Sequence, residues 1–398
     1  TGTITKTVKT IPLFSGGTAS SRVALNDVRK AIEEINKNKH NSELKAVLEI
    51  DASSLVPAAT GSAGSGQVNQ TQVTLTADTL KALVNEKNIT ASIKTDLGII
   101  VLPPEVLQQL NANGSQPVVV TLTASGQTPA DGGTGLIGDR PVVDITITQG
   151  NQQVTSLGGR QIRAGISYKA QNTENQSKLL AYYINDKGES KPVKLSGFDD
   201  ESNQMLFATV HLSLYAVGYN DVTFADVQKH WAQKNIEFLA AREIIKGKAA
   251  GVFDPDGNVT RAEFVTMLAN SMDGIIVAGA KSAGFDDVAA AAWYAGFINW
   301  AVDKKIVSGY GDGNFGPNDL ITREQMAVMA DKFLQAIQAD LNVVKAAASF
   351  KDQDKINSWA AASVSKMQQA GIINGRTDGS FAPQGTSTRA EAATVIKG

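Results

Sequence analysis

The chain contains no cysteine, so neither a disulfide framework nor a thiolate site for metal or redox chemistry can be built from it. Stability must come from burial and hydrogen bonding. It also lacks any apolar run of about 18 residues, so no segment is expected to cross a membrane as a helix. Neither charge dominates: 37 Lys and Arg face 39 Asp and Glu. That balance excludes the broad basic field that gathers nucleic acid or anionic membrane, and leaves anion recognition to local clusters. Thr1 shows neither the basic nor the apolar region of a secretion signal, so the sequence reads as a mature chain or a fragment. The three histidines, His40, His211 and His230, form no metal-ligand spacing and no evident nucleophile partnership. No metal site and no cofactor are implied.

A length of 398 residues exceeds one ordinary core, and the pattern changes near residue 220. The first part alternates short runs rich in Val, Ile, Thr and Tyr with turn residues. Strands are predicted at 46–50, 71–76, 117–123, 142–148, 162–169, 179–185 and 204–217. Helices are predicted at 22–37, 77–86 and 104–111. The small-residue stretches 57–70 and 124–140 read as surface loops. Residues 1–220 are therefore expected to form a β-rich, sandwich-like spacer module.

The second part repeats itself three times. Trp231, Trp293 and Trp359 each stand 30 residues before an arginine, Arg261, Arg323 and Arg389. Between them Gly247, Gly309 and Gly375 recur in phase, as do Phe253, Phe315 and Phe381 and Pro255, Pro317 and Pro383. Each copy reads as helix, loop, helix. In the first helix Ile236 and Leu239, Ile298 and Ala301, and Val364 and Met367 fit one apolar face. The phased glycines then suit a left-handed helix end. A second helix opens at the Thr-Arg pair and carries Phe264, Met267 and Leu268 in the first copy. One such pair buries too little surface alone, so the three must pack together.

Thr260-Arg261-Ala262-Glu263 and Thr388-Arg389-Ala390-Glu391 fit the capping box, and Thr322-Arg323-Glu324-Gln325 does so with Gln. Capping explains the Thr and the Glu but not the Arg, because the positive end of a helix dipole disfavours a cation. Free helix amides beside a forked guanidinium would make a corner for carboxylate or phosphate. The alternative is an ion pair between each Arg and an acidic residue of a neighbouring copy, Asp226, Asp287 or Asp352. On the first reading, Arg→Ala leaves the melting temperature nearly unchanged or slightly raised. The tryptophans too have two readings, core residue or sugar platform, and core is the usual one. The glycines either cap helices or let a ligand approach the backbone.

The phased F-x-D-V start at Phe224–Val227 and Phe285–Val288, the Trp, the G-x-x-D-G-x-F loop of Gly309–Phe315 and T-R-A-E together resemble S-layer homology domains, over about 45% of the chain. The stretch 205–219 likewise resembles the closing strand of β modules that precede such repeats. The resemblance implies a pseudo-threefold arrangement with a central helix bundle and ligand grooves between repeats, here 221–280, 281–345 and 346–398. It implies anchoring of a secreted, extracellular protein to the bacterial cell wall or S-layer. The partner it implies is a secondary cell-wall polymer, a pyruvylated polysaccharide with pyruvate ketals on N-acetylmannosamine, whose acidic sugar the T-R-A-E arginine serves. Gly247, Gly309, Gly375, Trp231, Trp293, Trp359, Asp226, Asp287 and Asp352 complete the expected ligand-binding set. Copy one lacks a Tyr after Gly247, copy two reads T-R-E-Q, and copy three begins F-K-D-Q, so at least one groove is expected to be weak or purely structural.

Three signals carry less. Gly133–Gly138 fits G-x-G-x-x-G, but a β-like segment follows where a helix is required. Asp254–Asn258 hints at a calcium loop, yet its Gly is misplaced and no Glu closes it. Acidic pairs such as Asp199-Asp200 place no acid and base across a cleft. The chain is thus expected to be a binding module and no enzyme, with no nucleic-acid partner and no membrane insertion. The alternative is a wall-tethered enzyme acting on polysaccharide, with its catalytic site in residues 1–220. Whether chains self-associate into a lattice is left open by the sequence.

Overall fold

In the computed structural model the chain is described at residues 2–38, 44–54, 67–127, 129, 134–273, 284–337, 339 and 341–398. His40, Gly133, most of the 57–70 stretch, part of 124–140 and the boundary at 280/281 lie outside those residues. Two compact units divide at Asn220 and Asp221.

In the first unit, period-two alternation sets which side of each strand is buried. Lys45–Asp51 buries Ala46, Leu48 and Ile50, and Gln70–Leu75 buries Thr71, Val73 and Leu75. Two sheets result. The seven-stranded one runs Thr3–Lys9, Lys45–Asp51, Ile89–Lys94, Gly98–Leu102, Ile162–Ser167, Gln204–Thr209, Ser196–Asp199. The nine-stranded one runs Ser190–Pro192, Leu179–Ile184, Leu214–Tyr219, Val142–Gln149, Val118–Ser125, Gln70–Leu75, Thr18–Arg22, Leu13–Ser15, with Gln152–Gln153 added beside Val142–Gln149. Both sheets are mixed rather than antiparallel, because three neighbouring pairs run parallel: Thr3–Lys9 with Lys45–Asp51, that strand with Ile89–Lys94, and Thr18–Arg22 with Gln70–Leu75. Helices α1 (Leu25–Asn38), α2 (Ala77–Asn85) and α3 (Pro104–Ala112) supply Ile35, Leu80 and Leu107 to a core shared with both sheets. A single turn, α4 (Thr134–Ile137), precedes Val142–Gln149.

The predicted strand 204–217 is two strands in different sheets, Gln204–Thr209 and Leu214–Tyr219. The Tyr215 hydroxyl pins the turn between them, meeting Thr209 Oγ1 at 2.6 Å and His211 Nδ1 at 2.9 Å and donating to the His211 carbonyl at 3.0 Å.

The second unit has six α-helices in its described residues. They are α5 (Gln233–Ala241), α6 (Arg261–Asn270), α7 (Ala295–Asp303), α8 (Arg323–Ala336), α9 (Ser358–Gln369) and α10 (Arg389–Lys397). Ile236, Leu239, Ile298, Ala301, Val364 and Met367 lie in one core with Phe264, Met267 and Leu268. The second helix of each copy packs on the first helix of the next: α6 on α7, α8 on α9, and α10 back on α5. The three second helices also touch one another pairwise.

The first helices end one turn before the phased glycines. The left-handed residues there are Glu243, Lys305 and Gly371. Ile244, Ile306 and Ile372 each donate back five residues, to the carbonyls of Leu239, Ala301 and Met367, which is a Schellman closure. Gly247, Gly309 and Gly375 have no left-handed backbone, so the expectation of a left-handed end at them is corrected. Their bareness is steric. A Cβ on Gly309 would sit 2.4 Å from the Phe285 ring and 2.4 Å from the Asn314 carbonyl, and one on Gly247 would crowd Phe224 and the Val252 carbonyl.

Candidate functional site

Each second helix begins with a complete capping box. Thr260, Thr322 and Thr388 accept from the amides of Glu263, Gln325 and Glu391, whose side chains accept from the amides of the three threonines in return. The next two amides are engaged as well. Arg261 and Ala262 donate to the carbonyls of Asp319 and Pro317 in copy two. Arg323 and Glu324 donate to Gly385 and Pro383 in copy three, and Arg389 and Ala390 to Gly257 and Pro255 in copy one. The expected corner of free helix amides is therefore absent, since the prolines' turns fill it.

The arginine side chains reach into the loop of the next copy. Nε of Arg261 donates to the Phe315 carbonyl at 2.9 Å, that of Arg323 to Phe381 at 2.8 Å, and that of Arg389 to Phe253 at 2.9 Å. Nη2 of each reaches a second carbonyl, of Ser308, Asn374 and Lys246 respectively. Each guanidinium lies over the ring of the same Phe, with 4.4 Å to the centroid for Arg389 and 5.2 Å for Arg323. All three are buried. Burial pushes each guanidinium below its ordinary pKa, with nearby acidic groups acting in the opposite direction, yet a guanidinium keeps its charge. The expectation that Arg→Ala leaves the melting temperature nearly unchanged or slightly raised rested on an Arg set only against its own helix dipole; the structure instead has these side chains join copy one to two, two to three and three to one.

The alternative of direct Arg–Asp pairing is also replaced, by a relay through backbone. Asp226 accepts from the amides of Phe253 and Asp254, Asp287 from Phe315 and Gly316, and Asp352 from Phe381 and Ala382. The N–H of each phased Phe goes to its own copy's Asp, and its C=O to the previous copy's Arg. Burial pushes the Asp226 and Asp352 carboxyls up, but these amides outweigh it and hold both below the ordinary carboxylate value. The carboxylates shape the loops that receive the arginines.

Trp231, Trp293 and Trp359 are 65%, 61% and 55% exposed, so the core reading is corrected for all three. Each stands at the start of a first helix, and a large exposed indole recurring three times is an apolar face offered outward. Trp359 of copy three, Arg261 of copy one and Gly309 and Tyr310 of copy two line one groove with a cavity of about 720 Å³. The Arg261 guanidinium sits 4.6 Å from both the Tyr310 and Phe315 ring centroids, and the Tyr310 hydroxyl donates to Asp319 at 2.9 Å. Among the described residues no carboxylate forms an ion pair with Arg261 or Arg389, whereas Nη1 of Arg323 is paired with Glu391 at 2.8 Å.

Lys305, Lys332, Gln325 and Tyr310 line the same groove and stood outside the expected set. Lys305 is the left-handed helix end of copy two, and Lys332 has Asn270 as its counterpart in copy one, so repeat phasing could not find either. Glu324, the departure within T-R-E-Q, is buried. It accepts from the backbone and Nδ2 of Asn357 and from Nε2 of Gln384, tying copy two to copy three. Among the described residues no group of three His, Asp or Glu could hold a metal ion, and no helix is long and apolar enough to cross a membrane.

The S-layer homology domain matches residues 223–265, 284–327 and 349–393. An amylopullulanase of Thermoanaerobacterium thermosulfurigenes is 32% identical over 334 residues, 84% of this chain and 17% of that protein. That alignment is longer than residues 221–398 and so reaches into the β-rich unit. A cellulosome-anchoring protein of Acetivibrio thermocellus is 30% identical over 38% of the chain and 34% of its own length. An S-layer protein, sap, of Bacillus anthracis is 34% identical over 44% of the chain and 21% of its own length. The chain thus spans about a third or less of each of these relatives. The domain match and these relatives indicate a protein associated with the cell wall or cell surface.

Proposed function

Because the chain carries three S-layer homology domains, we propose that residues 221–398 hold it non-covalently on the bacterial cell wall by binding an anionic, pyruvate-bearing secondary wall polysaccharide in grooves between the copies. In this reading the copies stand about a pseudo-threefold axis with α6, α8 and α10 as a central bundle. The observation that carries it is the groove in which a buried guanidinium from one copy, the loop of the next and an exposed indole from the third line one cavity. A sugar carboxylate meets Arg261 with Lys305 and Lys332 nearby, and the sugar ring lies on Trp359. Anion and apolar face are then recognised by separate groups, which selects an acidic sugar over a neutral one. Arg323 and Arg389 with Trp231 and Trp293 form the corresponding grooves, and the aspartates and phased glycines hold the loops.

Residues 1–220 serve in this reading as a non-catalytic spacer. Separate purification of the two units tests the assignment, since each has its own core. Residues 221–398 are expected to sediment with purified sacculi and residues 1–220 to stay in solution. Sedimentation of 1–220 alone would overturn the reading.

A further inference from the structure

The three arginines face different third residues of the neighbouring capping box. Arg323 is paired with Glu391 at 2.8 Å. Arg389 has Glu263 close enough for its charge to act on the guanidinium. Arg261 shares its groove with Gln325. In every box one side-chain oxygen accepts from the threonine amide: Oε2 of Glu263 at 2.8 Å, Oε1 of Gln325 at 3.2 Å and Oε2 of Glu391 at 2.9 Å. What differs is the remaining terminal atom. In copies one and three it is a carboxylate oxygen, an acceptor that brings negative charge to the groove. In copy two it is an amide nitrogen, a donor without charge, beside the Tyr310 hydroxyl.

We infer that this one residue grades the three grooves: Gln325 makes the Arg261 groove the principal subsite for an acidic sugar, and Glu391 keeps the Arg323 groove closed to anions by occupying its guanidinium. The inference rests on the wall-polymer reading above and assigns which groove does the work. Lys305 and Lys332 line the cavity as further cations. Asp319 and Asp287 also act on the Arg261 guanidinium, but from outside ion-pair distance, with their oxygens accepting from the Tyr310 hydroxyl and from the amides of Phe315 and Gly316. Glu391, by contrast, is a built-in carboxylate already seated where a ligand carboxylate would bind Arg323. Gln325 and Glu391 are thus specificity-determining residues that keep their capping role whichever of Glu or Gln is present.

Calorimetric titration of the full chain tests this, with the methyl glycoside of N-acetylmannosamine bearing a pyruvate ketal as one probe and the same glycoside without the ketal as the other. The unaltered chain is expected to prefer the ketal-bearing probe. Gln325→Glu should weaken it about tenfold or more, the scale of an uncompensated like charge, with an unchanged melting temperature because the cap persists. Glu391→Gln should add a second binding event. Preference for the ketal that survives Gln325→Glu undiminished, with no gain from Glu391→Gln, would overturn the inference and leave the anchoring reading standing. Equal binding of both probes by the unaltered chain would overturn the acidic-sugar reading on which the inference rests.

Discussion

Replacing Arg323 by alanine tests the inter-copy role of the arginines most severely. Its Nε and Nη2 each donate at 2.8 Å, to the Phe381 and Asn374 carbonyls, and its Nη1 meets Glu391 at 2.8 Å. A hydrogen bond from a charged donor is worth about 1.5–3 kcal/mol, and losing both backbone contacts leaves two carbonyls without their partners. Water entering the opened groove recovers part of that. The Glu391 carboxylate loses its cation but is about a quarter exposed and keeps its bond to the Thr388 amide, so water offsets part of that loss too. The net cost is about 3 kcal/mol, or roughly 6–12 °C in the melting of a unit this size. Scanning calorimetry of the full chain, following the transition of the helical unit, reads it directly. Arg323→Lys should fall between, because an ammonium is a single point of contact where the fork makes three. A fall of less than about 2 °C for Arg323→Ala would refute the argument and return these residues to the purely ligand-binding role that the sequence suggested.

Gly309→Ala should cost about 1–3 kcal/mol through overpacking against Phe285 and the Asn314 carbonyl, and more than Gly375→Ala, whose nearest neighbour lies 2.9 Å away; thermal melts of the two variants check the order. Trp359→Ala should move the melting temperature little, as expected for a mostly exposed side chain, yet weaken sacculus binding by about 1 kcal/mol, read from a binding isotherm. The lowered pKa values of Asp226 and Asp352 mean that the folded state binds fewer protons than the unfolded one. Their contribution is then fully present above the ordinary carboxylate pKa of about 4 and is lost as the pH falls through the lower folded values. Acid unfolding of the helical unit, followed by near-ultraviolet circular dichroism, should accordingly be less steep in Asp352→Asn.

Much of the second unit was legible because its register is periodic. Five phased positions and three threonine caps placed six helices, and the buried faces of α5, α7 and α9 follow from apolar spacing. What the register could not show was where a side chain goes after leaving its helix. Arg261, Arg323 and Arg389 stand at helix starts, and local reasoning set them against their own dipoles. In the fold each reaches across copies, and their Nη2 atoms donate to carbonyls 47, 51 and 143 residues away in sequence. The helix ends were missed because two of the three left-handed positions are Glu243 and Lys305 rather than glycine. The tryptophans were misjudged because helical spacing gives the side on which a residue lies but not whether another element covers it. In the first unit α1, α2 and α3 fall close to their predicted spans. The apolar run 204–217 concealed a crossing between sheets whose only local signs are the polar His211 and Ser213.

The central claim is that the grooves hold an acidic wall polysaccharide through charge as well as stacking. It is tested most directly by the binding isotherm of the full chain on purified sacculi, before and after chemical removal of their pyruvate ketals with the neutral polysaccharide left in place. Binding at least about tenfold weaker after removal is the predicted result, the scale of one lost charge-assisted contact. Undiminished binding to the stripped sacculi would contradict the account and leave stacking of neutral sugar on the exposed tryptophans as the mechanism.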